Sequence, residues 1–220
     1  MSIFQKGMAE FIGTFLLVMV PLGLATQGQT LMVVSAAFGV TLFIIATAFG
    51  PVSGGHFNPA VSAAMSLMGK LSLAELAVYW LTQIAGAVSA SWLTKSLWGV
   101  GEAKLGAAVP SSGVSWLTVF VVEGLGAFIL LLVIFRATDV TGEPAIAPLA
   151  IGLTLGAIIA LWGNVTGGSF NPARYLGPAL LSGEWSAAWA YLLAPIVGGL
   201  LAAVTYGMSL QGGTPRPPVQ

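Results

Sequence analysis

The residues with the most chemical content lie in two copies of one short sequence, GGHFNPA at 54–60 and GGSFNPA at 167–173. Asn58 and Asn171 each carry a side-chain amide that can donate hydrogen bonds to a solute oxygen, and each is followed by Pro and Ala: Pro59 and Ala60, Pro172 and Ala173. Arg174 follows the second copy, and two carboxylates, Glu10 and Glu123, lie within apolar stretches. His56, in the first copy, is the one histidine of the chain, and there is no cysteine. This set does not suit a catalyst. No His, Cys or carboxylate cluster has metal-ligand spacing, and no nucleophile stands beside a base, so the chain is read as a non-enzyme that calls for neither metal nor cofactor.

Each asparagine reads as the start of a helix. Asn is a preferred N-cap, and Pro is favoured at the first helical position because its missing N–H would be unpaired there anyway. The stretches that follow, PAVSAAMSLMGK and PARYLGPALLSG, are apolar and end at Gly69 and Gly183. A dozen helical residues rise about 18 Å, roughly half of a bilayer core. They are too short to span a membrane and too apolar for an aqueous loop. The Gly-Gly pairs before them suit irregular backbone, which survives at membrane depth only where it is buried or lines a wet cavity. A single copy would read as an ordinary turn or cap. Two copies with a common offset do not.

That offset is 113 residues, from Asn58 to Asn171, and Glu10 and Glu123 share it. Each acid is followed three residues later by a glycine, Gly13 or Gly126, and 48 residues later by the asparagine. Buried acids are costly and seek partners. Their symmetric placement suits bracing of the irregular loops, whose N–H groups need acceptors; the competing reading makes them the proton-coupling acids of a transporter. Arg174 lies in the first turn of its half-helix, where a cation opposes the helix dipole, and Val61 holds the matching place in the first half. Local stability does not recommend it, which points to a pore charge that repels cations and donates to the solute. His56 either touches the pore or bonds to loop backbone; the sequence leaves both open.

Composition says what must position these groups. Of 220 residues, 57% are hydrophobic and only 6% charged, against roughly 25% charged in soluble domains. Six stretches are long enough to cross a bilayer: about 8–26, 32–50, 73–98, 116–136, 146–164 and 185–208. The first resembles a signal peptide but is too long and contains Glu10, so it is read as a retained span. Three spans fall in each half, about 6–98 and 116–208, so the second half enters from the opposite face. The expected fold is an all-α membrane bundle of six helices plus two half-helices, one domain over 1–220 built as an inverted repeat, with the half-helix N-termini meeting near the midplane.

Zero net charge without a basic cluster gives no support to nucleic-acid binding; membrane lipid is the expected environment. With the amino terminus in the cytoplasm, Lys6, Lys70, Arg136 and Arg216 lie on that side against Lys95 and Lys104 on the other, which favours cytoplasmic termini in a cell (inner) membrane. Trp98, Trp116, Trp185 and Trp189 fit an interfacial belt without choosing a side. The loop at 99–115 and the tail after Met208 are the two candidates for gating, and residues 209–220 read as a disordered tail.

The double Asn-Pro-Ala with Arg after the second copy resembles the aquaporin, or major intrinsic protein, family over nearly the whole chain. The resemblance implies a homotetramer with one pore per subunit and passive flow of water or small uncharged solutes. It also implies a selectivity filter of four residues, here Phe38, Ile159, Gly168 and Arg174. Phe38 and Arg174 are as in strict water channels, whereas Ile159 stands where those usually have His. Glycerol channels usually carry Asp after the arginine, where this chain has Tyr175. The filter is similar to those of archaeal aquaporins and, at Ile159 and Gly168, of nodulin-like channels for boric, silicic or arsenous acid. The primary expectation is a channel for water, with or without small neutral solutes. The alternatives are a channel mainly for such solutes, a transporter coupled through Glu10 or Glu123, and a scaffold with a plugged pore.

Overall fold

Four of the long helices begin on a hydroxyl side chain. In α1 (Ile3–Thr26) Ser2 closes a capping box with Gln5, and Thr30 caps α2 (Leu31–Ser53). After the short α3 (Pro59–Leu67), Ser72 closes a second box with Glu75 at the start of α4 (Leu73–Trp98), and Ser115 caps α5 (Trp116–Ala137). The remaining helices are α6 (Ala147–Thr166), the short α7 (Pro172–Ser182) and α8 (Ala188–Ser209). The structure is a computed structural model and describes residues 1–101, 103–139, 142–143 and 145–210. Within these residues every regular element is helical, and α1, α2, α4, α5, α6 and α8 are long and apolar enough to cross a membrane.

Most boundaries lie close to those expected, and the departures have local causes. The first span starts at Ile3 rather than 8 because the capping box at Ser2 satisfies the early N–H groups. The second runs through Pro51 to Ser53 rather than ending at 50, and stops where Gly54 turns left-handed. The last starts at Ala188, after a left-handed Ala187, rather than at 185. The first half-helix has nine residues, not a dozen, because the chain turns at Gly69 with the Lys70 N–H closing onto the Met65 carbonyl at 2.9 Å. Ser209 is the last residue of α8, so the expected tail begins no earlier than Leu210; residues 211–220 lie outside the described residues.

The packing repeats with the sequence. Helix α1 lies along α4 and α2, as α5 lies along α8 and α6. Each half-helix packs chiefly on the last span of the other half, α3 on α8 and α7 on α4. The symmetry axis passes between α2 and α6, where Gly39 faces Gly152, its counterpart 113 residues on. A Cβ at Gly39 would stand 2.8 Å from the Gly152 carbonyl oxygen, and one at Gly152 would stand 2.4 Å from that of Gly39. Backbones can approach this closely in lipid only through small residues. Outward faces carry exposed Val40, Ile44, Leu81, Leu153, Leu161 and Leu201, as hydrocarbon contact requires. By connectivity Trp98, Trp116, Trp185 and Trp189, all exposed, gather at the face opposite the amino terminus.

Candidate functional site

The loops that lead into α3 and α7 are matched left-handed turns. Gly54, Gly55 and Phe57 have φ of 89°, 67° and 51°, and Gly167, Gly168 and Phe170 have 80°, 58° and 50°. A phenylalanine held there costs of order 1–3 kcal/mol. The carboxylates supply the compensation. Glu10 accepts from the Ser53 hydroxyl (2.6 Å), the His56 N–H (2.9 Å), the Phe57 N–H (2.6 Å) and the Gln83 amide (2.7 Å). Glu123 accepts from Thr166 Oγ1 (2.7 Å), Ser169 N–H (3.0 Å) and Phe170 N–H (2.6 Å). At about 1.5–3 kcal/mol each, such charge-assisted bonds outweigh the strain of one phenylalanine.

The glycine three residues after each acid has a steric cause. A Cβ at Gly13 would fall 2.1 Å from the Phe57 ring, and one at Gly126 would fall 2.2 Å from the Phe170 ring. The acid holds the loop backbone, and the bare turn beside it receives the loop's aromatic ring. Tyr79 and Tyr191 add a second brace, donating to the carbonyls of Ser53 (2.6 Å) and Thr166 (2.5 Å).

Held in this way, the two motifs bond to each other. Asn58 Nδ2 donates to the Phe170 carbonyl and Asn171 Nδ2 to the Phe57 carbonyl, both at 2.9 Å. Each Oδ1 turns back to cap its own helix, accepting from Ala60 N–H (2.9 Å) in one case and from Ala173 (3.0 Å) and Arg174 (3.2 Å) in the other. One N–H of each amide is thus used, which leaves the second free for a passing oxygen. Pro59 and Pro172 occupy the first helical positions. Two helix N-termini therefore meet back to back, and both positive dipole ends lie at this junction.

A cavity of about 800 Å³ runs from the face bearing Lys6 and Lys70, past Gly54, His56 and Asn58, to Asn171, Phe38 and Arg174. Arg174 is 4% exposed and stands over Phe38, with Cζ 5.2 Å from the ring centroid. Its Nε and Nη1 meet no acceptor among the described residues. Ile159 is brought against Gly168, where a Cβ would lie 3.4 Å from its side chain. These two do not line the cavity, which ends at Phe38 and Arg174. Val61, the counterpart of Arg174, is a lining residue.

Of the two roles left open for His56, the second is not seen: no bond from its ring to loop backbone is present among the described residues. His56 lines the cavity, while its backbone N–H goes to Glu10 and its ring Nδ1 lies 3.0 Å from Ser62 Oγ. The sequence reading missed Ser62 and Gln83, which join His56 to Glu10; an uncharged amide at 83 within an apolar span was the available clue. It also missed Ser53 and Thr166, which share the 113-residue offset. Opposite the amino-terminal face, the loop at 99–115 is tied down: Ser111 bonds to the carbonyls of Asn164 (2.5 Å) and Val165 (3.0 Å), and Lys104 pairs with Glu184 at 2.5 Å. That ammonium holds the Glu184 carboxyl below the usual carboxylate range. Among the described residues no three of His, Cys, Asp and Glu gather where a metal could sit.

Known proteins resemble this chain in sequence and in fold. The family profile described as major intrinsic protein matches residues 1–206. A glycerol uptake facilitator protein-like 6 from Lactiplantibacillus plantarum is 42% identical over 210 residues, covering 90% of this chain and 95% of that protein. Aquaporin AqpM from Methanothermobacter marburgensis is 33% identical, over 93% of this chain and 97% of its own. The X-ray structure of the aquaglyceroporin from Plasmodium falciparum superposes with a TM-score of 0.88 at 26% identity, over 95% of this chain and 97% of that one.

Proposed function

The chain belongs to the major intrinsic protein family, a multi-pass integral membrane family, and from that membership we propose that it is a passive channel passing water and small uncharged solutes while excluding protons and ions. The observation that carries this reading is the reciprocal bond between the motifs, Asn58 to the Phe170 carbonyl and Asn171 to the Phe57 carbonyl. It sets two helix N-termini and two spare amide N–H groups at one level of a continuous cavity. A water or hydroxyl oxygen accepts from these donors, whereas a cation meets positive dipole ends and then Arg174.

We assign the selectivity filter to Phe38, Ile159, Gly168 and Arg174. Arg174 lines the end of the cavity and supplies guanidinium N–H donors for the solute, and the Phe38 ring holds the guanidinium in place. Ile159 and Gly168, which touch each other outside the lined cavity, add an aliphatic and a small position to the filter, which favours neutral solutes larger than water. The name of the L. plantarum relative is in keeping with glycerol as one such solute.

The transporter reading finds less support. A proton on either oxygen of Glu10 would have to displace one of four donors, and Glu123 holds a loop of the same shape. The two acids brace the pore. We further propose a homotetramer in the cell membrane with cytoplasmic termini, supported by family membership and the lysine and arginine bias, and no enzymatic activity. Stopped-flow measurements on proteoliposomes, comparing water, glycerol, urea and boric acid, test the solute assignment. Glycerol or boric acid flux above that of empty vesicles is expected; flux of water alone would overturn the filter's solute preference.

A further inference from the structure

One branch of the hydrogen-bond network breaks the symmetry between the halves. Gln83, fully buried, donates from Nε2 to Glu10 Oε2 at 2.7 Å and to Ser62 Oγ at 2.9 Å, and Ser62 Oγ lies 3.0 Å from His56 Nδ1. Among the described residues the second half has no such branch. The 113-residue offset carries His56 to Ser169 and Ser62 to Tyr175. In the last spans the two bracing tyrosines, Tyr79 and Tyr191, set the offset at 112, which carries Gln83 to Pro195. Bracing the loop does not need the branch, because Glu123 holds its own loop without it.

We propose that Gln83 is a positioning residue of the pore: acting through Ser62, it holds His56 as the tautomer whose hydrogen is on Nε2, so that the cavity is presented with an N–H donor.

Donor and acceptor valences fix this tautomer. Glu10 is an acceptor, so the Gln83 amide must turn its nitrogen toward it, and the second hydrogen of that nitrogen then points at Ser62. Ser62 is fully buried, and its hydroxyl shares hydrogen bonds only with Gln83 and His56 among the described residues. Having accepted from Gln83, the hydroxyl can place its own hydrogen only on His56 Nδ1, which must therefore be bare. The other tautomer would direct two donors at Ser62 and leave its hydrogen without an acceptor, which a buried site penalises. The neutral ring then carries its hydrogen on Nε2. That nitrogen has no partner among the described residues and is not sealed from the cavity; it lies 3.2 Å from where a Cβ on the lining residue Gly54 would stand. Its N–H adds one more donor to the path a solute oxygen follows from the Lys70 face to Asn58. This last step rests on reading the cavity as the conduit.

The single histidine allows a direct test. Protein labelled with 15N-histidine is reconstituted in lipid and its two ring nitrogens are read by solid-state NMR. The expected spectrum has a protonated, pyrrole-type Nε2 and a bare, pyridine-type Nδ1. In Gln83→Leu and, separately, in Ser62→Ala, pyrrole-type signal should appear at Nδ1. A protonated Nδ1 in the unsubstituted protein would overturn the proposal, as would an unchanged Nε2–H spectrum in both variants; if one variant fails to fold, the other decides. Osmotic water flux measured on the same vesicles keeps the two readings apart. Loss of flux in the unsubstituted protein would sink the channel, while the NMR pattern would still report the tautomer.

Discussion

The side-chain amide of Asn171 is tied to the carbonyl of Phe57 at 2.9 Å, across 114 residues of sequence. With the matching bond from Asn58 to Phe170, it fastens two half-helices that enter from opposite faces. Asn171→Ala removes an N-cap and leaves a buried carbonyl unpaired, so a loss of about 2–4 kcal/mol is expected. Asn171→Ser keeps a cap but lacks the reach to Phe57, and should lose less. Chemical unfolding in detergent, followed by circular dichroism, checks the order; equal stability of the three proteins would refute the strut.

Gly13 and Gly126 should be intolerant of even a methyl group, because the rings of Phe57 and Phe170 occupy the space. Gly13→Ala is expected to cost about 1–3 kcal/mol by overpacking and to lower water flux by shifting the loop. Adding Phe57→Leu should restore part of both. Failure of the second substitution to restore stability would show that the clash is not with this ring.

Much of this was legible in the sequence because symmetry left a numerical trace. The offset shared by Glu10, Gly13 and Asn58 with Glu123, Gly126 and Asn171 is enough to place an acid beside each lead-in loop. What the glycine was for was hidden, since its partner ring lies 44 residues further on and meets it only after folding. The reciprocal asparagine bonds were equally invisible: a capping asparagine reads as local, and its second role depends on where the other half arrives. Helix ends were misjudged where hydropathy gave way to chemistry, at the Ser2 capping box and across Pro51. His56 could not be resolved without Ser62 and Gln83 beside it.

Arg174 lies at the inner end of the cavity over Phe38. Arg174→Ala removes the fixed charge, and proton or cation leak should rise at least about tenfold, a barrier change of ~1.4 kcal/mol. Electrical recordings on planar bilayers check this; an unchanged leak would place cation exclusion with the dipoles of α3 and α7 alone.

Ile159→His replaces an aliphatic wall beside Gly168 with a bulkier hydrogen-bonding one. Glycerol flux should fall by about tenfold, in the range that one altered pocket group achieves, with a smaller effect on water. The ratio of the two fluxes in the same vesicles is the readout, and an unchanged ratio would sink the filter assignment.

On the other face, Lys104 and Glu184 join the loop at 99–115 to the turn between α7 and α8. Pairing holds the folded-state pKa of Glu184 below its unfolded value, so the contribution is complete above the ordinary carboxylate range and is lost as the pH falls through the folded value. Hydrogen exchange of the loop should therefore rise, relative to neutral pH after correction for intrinsic rates, once the pH falls below the ordinary carboxylate range. In Glu184→Gln that acid-induced step should vanish.

The cavity from Lys70 to Arg174 serves as a passive path for water, and osmotic swelling of proteoliposomes reads that flow. Stopped-flow light scattering should show fast water flux that does not saturate and has a low activation energy, with no accompanying proton movement. Slow, saturable uptake that carries protons with it would instead mark a coupled transporter and rule out the open path.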